Sequence, residues 1–153
     1  MDDWLKLPCH NDAAPDAKVL IDLESYEAGR AYFDGRSAPW GIAVDGDVDL
    51  SRLTHLVSRV SLISVNFPKF TDGRGYSVGR LLRQRYGYQG ELRAVGDITR
   101  DQLAYLERCG FNAFELKAGK CLDEALGGFD ELATLYQPAA DLVEPIWRRR
   151  LSG

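Results

Sequence analysis

Leu62–Lys117 reads LISVNFPKFTDGRGYSVGRLLRQRYGYQGELRAVGDITRDQLAYLERCGFNAFELK, and the fold is decided there. Three short runs rich in strand formers, Leu62–Phe67, Glu91–Gly96 and Ala113–Lys117, alternate with two helical patterns, Tyr76–Tyr86 and Arg100–Cys109. Along the first helix Val78, Leu82 and Tyr86 recur at a spacing of four and define an apolar face. Arg80, Arg83 and Gln84 then fall on a solvated face. Thr99 followed three residues later by Gln102 is a capping-box pattern at the start of the second helix. Gly87 and Gly110 stand where helices end in a left-handed conformation.

The same alternation continues outward. Lys18–Leu23 and Trp40–Val44 read as strands, and Glu24–Phe33, Asp49–Val57 and Leu122–Thr134 read as helices. About five strands alternating with helices imply right-handed crossovers and a mostly parallel sheet, an α/β fold. A parallel sheet covered on both faces carries near-continuous apolar strands. Here Ser64 and Asn66 alternate with Ile63, Val65 and Phe67, Arg93 sits between Leu92 and Ala94, and Glu115 sits between Phe114 and Leu116. One sheet face is therefore partly polar, as in a partial (β/α) barrel whose inner face meets water, ligand or a second subunit. The alternative is a flavodoxin-like doubly wound sheet. If Arg93 is buried, Glu115 is its expected partner, because an unpaired interior charge is costly.

Composition bounds the function. At 153 residues, with 45% hydrophobic and 27% charged residues, the chain reads as one α/β domain over 1–153. The arm 1–17 and the tail 137–153 are expected to be less regular. No apolar run approaches the roughly 18–20 residues of a membrane span, and the N-terminus lacks the apolar core of a signal peptide; a cytoplasmic location is the expectation. Cys9, Cys109 and Cys121 form neither a disulfide framework nor a zinc pattern, and Cys9-His10 lacks companion ligands. No metal is therefore expected. Cys109, at a helix C-terminus, reads as a packing residue rather than a reactive thiolate. The net charge of −4 argues against bulk nucleic-acid binding. The terminal Trp147-Arg148-Arg149-Arg150 reads first as a solvated tail.

Basic charge is concentrated locally. Between Phe67 and Gly110 eight basic residues face five acidic ones. The strongest candidate site is the strand end and helix start Lys69-Phe70-Thr71-Asp72-Gly73-Arg74-Gly75-Tyr76-Ser77, where glycine, open N–H groups and two cations suit a small anion. The competing reading is a tight turn in which Asp72 caps the helix and pairs with Arg74. It is neither a Walker loop nor a dinucleotide fingerprint. Lys69, Asp97 and Lys117 are placed at strand carboxyl ends, where α/β folds gather ligands. Asp97 there is a weak candidate acid or base, set against an Asx-type turn. Arg100 opens a helix at its positive end, against the dipole, which favours an anion or partner contact. The candidate anion set is thus Lys69, Asp72, Gly73, Arg74, Gly75, Arg93 and Arg100.

The run FPKFTDGRGYS followed by LLRQRYGYQGELRAVGDITRDQLAYLERCGFNAFEL resembles the bacterial domain-of-unknown-function family 934. The likeness is close over Phe67–Leu116, looser over Trp40–Asn66, and places the family core at 40–136. The family carries the label of a probable oxidoreductase in sulfite reduction, resting on neighbourhood to sulfite reductase and other sulfate-assimilation genes. The resemblance therefore implies a role in sulfur metabolism. The residues themselves hold no dinucleotide fingerprint and no clustered cysteines for a redox cofactor. The expected function is an accessory protein of assimilatory sulfite reduction without a cofactor of its own. It would bind sulfite reductase, or a small anion such as sulfite, sulfate or phosphate, through the basic surface. A small-anion-handling enzyme or oxidoreductase using Asp97 is the first alternative, and a flavin-binding protein of flavodoxin-like layout the second. The partner expectations are no nucleic acid, no membrane, and a polar sheet face compatible with a homodimer.

Overall fold

The computed structural model describes residues 4–7, 16–69 and 73–116. Six strands form one parallel sheet: β1 Leu5–Lys6, β2 Val19–Asp22, β3 Trp40–Asp45, β4 Leu62–Phe67, β5 Glu91–Gly96 and β6 Ala113–Leu116. Their spatial order is their sequence order, β1 to β6. A flavodoxin-like doubly wound sheet reverses its order at a switch point. This sheet never does, so the partial-barrel reading holds and the doubly wound alternative falls.

The sheet is strongly curled. Six strands about 4.8 Å apart would hold the two edges of a flat sheet roughly 24 Å from each other. Yet Lys6 on β1 donates to Glu115 on β6 across 2.9 Å. Two such side chains and the bond between them reach only about 14 Å, given bonds of about 1.5 Å. The edges must therefore bend toward one another, giving a half-barrel with helices outside.

Register sorts the residues onto two faces. Pairings such as Ile42 with Ile63 and Ile63 with Leu92 put apolar side chains on the helix-covered convex face. There Val19, Ile21, Trp40, Ile42, Ile63, Val65, Phe67 and Leu92 form one core with Tyr26, Phe33, Leu53, Leu82, Leu106 and Phe111. The other rows, Asp22 with Ala43, Ala43 with Ser64, Ser64 with Arg93, and Asp45 with Asn66, line the concave face. The polar face expected from Ser64, Asn66, Arg93 and Glu115 is the inside of the half-barrel.

Three elements depart from expectation. β1 lies in the arm expected to be less regular, and brings the strands among the described residues to six where about five were expected. A single helix over Glu24–Phe33 is instead α1 Leu23–Ala28 and α2 Arg30–Asp34, divided at Gly29; glycine is a poor helix interior residue. Asp49–Val57 forms not an α-helix but a 3₁₀ helix at Leu50–Leu53 followed by turns. Leu53 and Leu56 are both fully buried, and their spacing of three suits that tighter period. The central helices are α3 Arg74–Gln84 and α4 Arg100–Arg108. Gly87 and Gly110 take φ of +67° and +101°, the left-handed conformation expected of them. The expected helix Leu122–Thr134 lies outside the described residues.

Candidate functional site at the carboxyl ends of the strands

Lys69 follows the end of β4 and is exposed, and α3 begins five residues later at Arg74. Asp72 lies outside the described residues. Gly73 occupies the N-cap, with no side-chain cap to the first turn. Arg74 pairs with Asp47, from the loop after β3, at 3.3 Å. Gly75 is explained by packing: a Cβ there would sit 2.6 Å from the ring of Phe67. That loop also presses on the helix start, since a Cβ on Gly46 would come within 2.8 Å of the Gly75 nitrogen.

One strand further, the Asp97 N–H donates to the Phe67 carbonyl at 2.8 Å. This bond ties the end of β5 to the end of β4, so Asp97 and Lys69 follow neighbouring strand ends. Thr99 then opens α4 with its N–H bonded to the Gln102 side chain at 2.9 Å, the capping box expected from sequence. Arg100 is exposed in the first turn. Lys117 lies outside the described residues. Lys69, Arg74, Asp97 and Arg100 thus share one rim of the sheet, at the ends of β4 and β5.

Arg93 does not join them. It lies in the middle of β5, on the concave face, and is 8% exposed. Its guanidinium binds the Glu91 carboxylate at 2.6 and 2.9 Å. Glu115 stands farther away at 3.9 Å. Glu115 was the expected partner; Glu91 is the principal one, because residues two apart on a strand share a face. With Lys6 on Glu115, a chain of charges crosses the inside of the half-barrel.

Beside that network the concave face opens into a cavity of about 870 Å³. It is lined by Asp22 at the end of β2, Asp45 at the end of β3, and Ser64, Asn66 and Val95 of β4 and β5. Lys6, Glu24, Asp47, Asp49 and Arg52 line it as well. Asn66 donates to Asp45 at 2.9 Å, and Asp22 accepts from the Ser25 N–H at 2.7 Å as the cap of α1. Asp49 accepts from the Ser51 N–H at 2.9 Å, and these bonds hold its carboxyl below the ordinary range. Among the described residues no group of three His, Cys, Asp or Glu side chains is arranged to hold a metal ion. Asp22 and Asp45 escaped the sequence reading because they come from two different strands, whereas Ser64 was visible in the alternation of β4. The signal for Asn66, the alternation within β4, was present.

Arg83 corrects the reading of a solvated α3 face. It is half-buried and donates to three carbonyls: Gly110 at 2.8 Å, Tyr88 at 2.6 Å and Gly90 at 3.0 Å. Burial pulls its pKa below the ordinary arginine value. Arg80, by contrast, is exposed and bonds along its own helix, to Gln84. Cys109 is buried at 6% exposure, in keeping with a packing role. Among the described residues no helix is long and apolar enough to cross a membrane.

The family model for bacterial proteins of unknown function, DUF934, matches residues 41–147, more than half of the chain. No curated protein matches it.

Proposed function

The chain belongs to the DUF934 family of bacterial proteins of unknown function, and from that premise we propose that it is an accessory protein of assimilatory sulfite reduction. In this reading it docks on sulfite reductase through the rim at the carboxyl ends of β4 and β5. The observation that carries it is that rim: Lys69, Arg74 and Arg100 are exposed there, around two helix starts. Arg93 leaves the proposed surface, since its charge is spent on Glu91. Exposed cations of this kind steer association and set partner choice more than they add affinity.

The test is co-purification of the chain with sulfite reductase at low and high salt. Association is expected at low salt and should weaken as salt screens the rim. Replacing Lys69, Arg74 and Arg100 together by Glu should abolish it. Absence of any association, with reductase turnover unchanged by the protein, would overturn the proposal.

A second reading places a sulfur oxyanion on the same rim, with Asp97 as acid or base. It is favoured by the bond from the Asp97 N–H to Phe67, which sets Asp97 beside the Lys69 strand end. Full function in vivo of Asp97→Asn would remove Asp97 from any such chemistry.

A further inference from the structure

We propose that the concave cavity is a binding site for a small organic cation, an ammonium or guanidinium compound, separate from the basic rim. Its position comes first. It opens where β2, β3 and β4 end, the end of a parallel sheet at which α/β folds hold ligands. Its volume of about 870 Å³ lies within the usual range of ligand pockets.

Charge selects the class of ligand. Asp22, Glu24, Asp45 and Asp49 line the cavity, and among the described residues none of them pairs with Lys or Arg. The two lining cations are engaged by carboxylates outside the lining. Lys6 is held by Glu115 at 2.9 Å, and Arg52 by Glu27 at 2.7 Å. Arg52 offsets part of the charge of Glu24 and Asp49, yet the acids outnumber the cations in the lining, and the net negative charge repels sulfite and attracts a cation.

A buried serine marks the floor independently of those acids. Ser64 is 2% exposed, sits on the concave face opposite Ala43 and Arg93, and lines the cavity. Among the described residues no hydrogen bond reaches its hydroxyl. Its oxygen faces the cavity, where a ligand donor would give it a partner. The Asp45 carboxylate, steered by Asn66, stands one row farther toward the mouth. An amine seated between them would meet a neutral acceptor and a charged one.

The test is amide NMR of the full-length chain titrated with agmatine, which carries both kinds of cationic group, with sodium chloride and sodium sulfite as controls. Saturable shifts at Ser64, Asn66 and Val95 with agmatine alone are expected. Asp45→Asn should weaken binding on the order of tenfold, the loss of one charge-assisted contact. Glu24→Gln, at an exposed position, gives a second variant that leaves the sheet intact, and it should weaken binding by a smaller factor. Shifts that fail to saturate, that sodium chloride reproduces, or that both variants leave unchanged would overturn the proposal.

Discussion

Arg83 shows how far one side chain's role depends on what folds around it. By helical position it belongs on the outside of α3. Its guanidinium instead turns to the loop before β5 and to the glycine that ends α4, binding carbonyls at Gly110, Tyr88 and Gly90. It also lies 5.4 Å from the centre of the Tyr88 ring. Hydrogen bonds from a charged donor contribute about 1.5–3 kcal/mol each when fully desolvated. Arg83 is only half-buried, so Arg83→Ala should cost about 2 kcal/mol in all, read by urea denaturation. Lysine has no planar fork, so Arg83→Lys should recover only part; a cost near zero for the alanine variant would show that water replaces the bonds. Gly79 sets two effects against each other. Alanine in the middle of a helix gains about 1 kcal/mol over glycine. At Gly79, however, the added Cβ would run into the Phe111 ring, and overpacking a core costs about 1–3 kcal/mol. The collision should win, leaving Gly79→Ala destabilised. Phe111→Leu in the same chain should reverse the sign of the Gly79 effect, a coupling that a double-mutant cycle measures.

At the scale of elements, what the sequence made legible is what periodicity and capping control. The expected and observed bounds of β4 and β5 coincide at Leu62–Phe67 and Glu91–Gly96, because alternation and turn residues frame both runs. The polar face could be read from Ser64, Asn66, Arg93 and Glu115 for the same reason. β1, at two residues, is too short to carry any period. The 3₁₀ helix at Leu50–Leu53 shares its apolar residues with an α-helical pattern, and only the buried spacing of three separates them. The cavity was harder still. Asp22, Asp45 and Ser64 meet through the pairing register of β2, β3 and β4, which no local motif records. The α4 start is the clearest local device, so its contribution can be stated. The Gln102 side chain accepts from the Thr99 N–H, and the Thr99 side chain completes the box. Thr99→Ala should lower stability by about 1 kcal/mol. Gln102→Ala should add little once Thr99 is gone, since the two act as a unit. Equal and additive losses from the two substitutions would show that no box operates.

For the whole molecule, the curl of the sheet creates two unlike halves. The core runs beneath β2 to β5, but the carboxylates with lowered pKa crowd the β2–β4 side. Arg52 binds Glu27 from the 3₁₀ helix to α1 and holds that carboxyl below its ordinary value. Asp34, at the end of α2, is drawn upward by burial, but bonds from Tyr26 and Arg59 outweigh this and leave it lowered. Asp49 is lowered by its bonds from Ser51. A carboxylate with a depressed folded-state pKa lends stability above its unfolded value, about 4, and loses it as pH falls through the folded value. The melting temperature should therefore stay level from neutral pH down to about 5 and decline below about 4. The decline should also be lopsided. Amides of α1, α2 and the 3₁₀ helix should lose hydrogen-exchange protection before those of α3 and α4. Glu27→Gln with Asp49→Asn should start less stable at neutral pH and show a shallower acid decline, because those groups no longer change charge. Uniform loss of protection across both halves, or an unaltered acid slope in that double variant, would show that the acid sensitivity arises elsewhere in the fold.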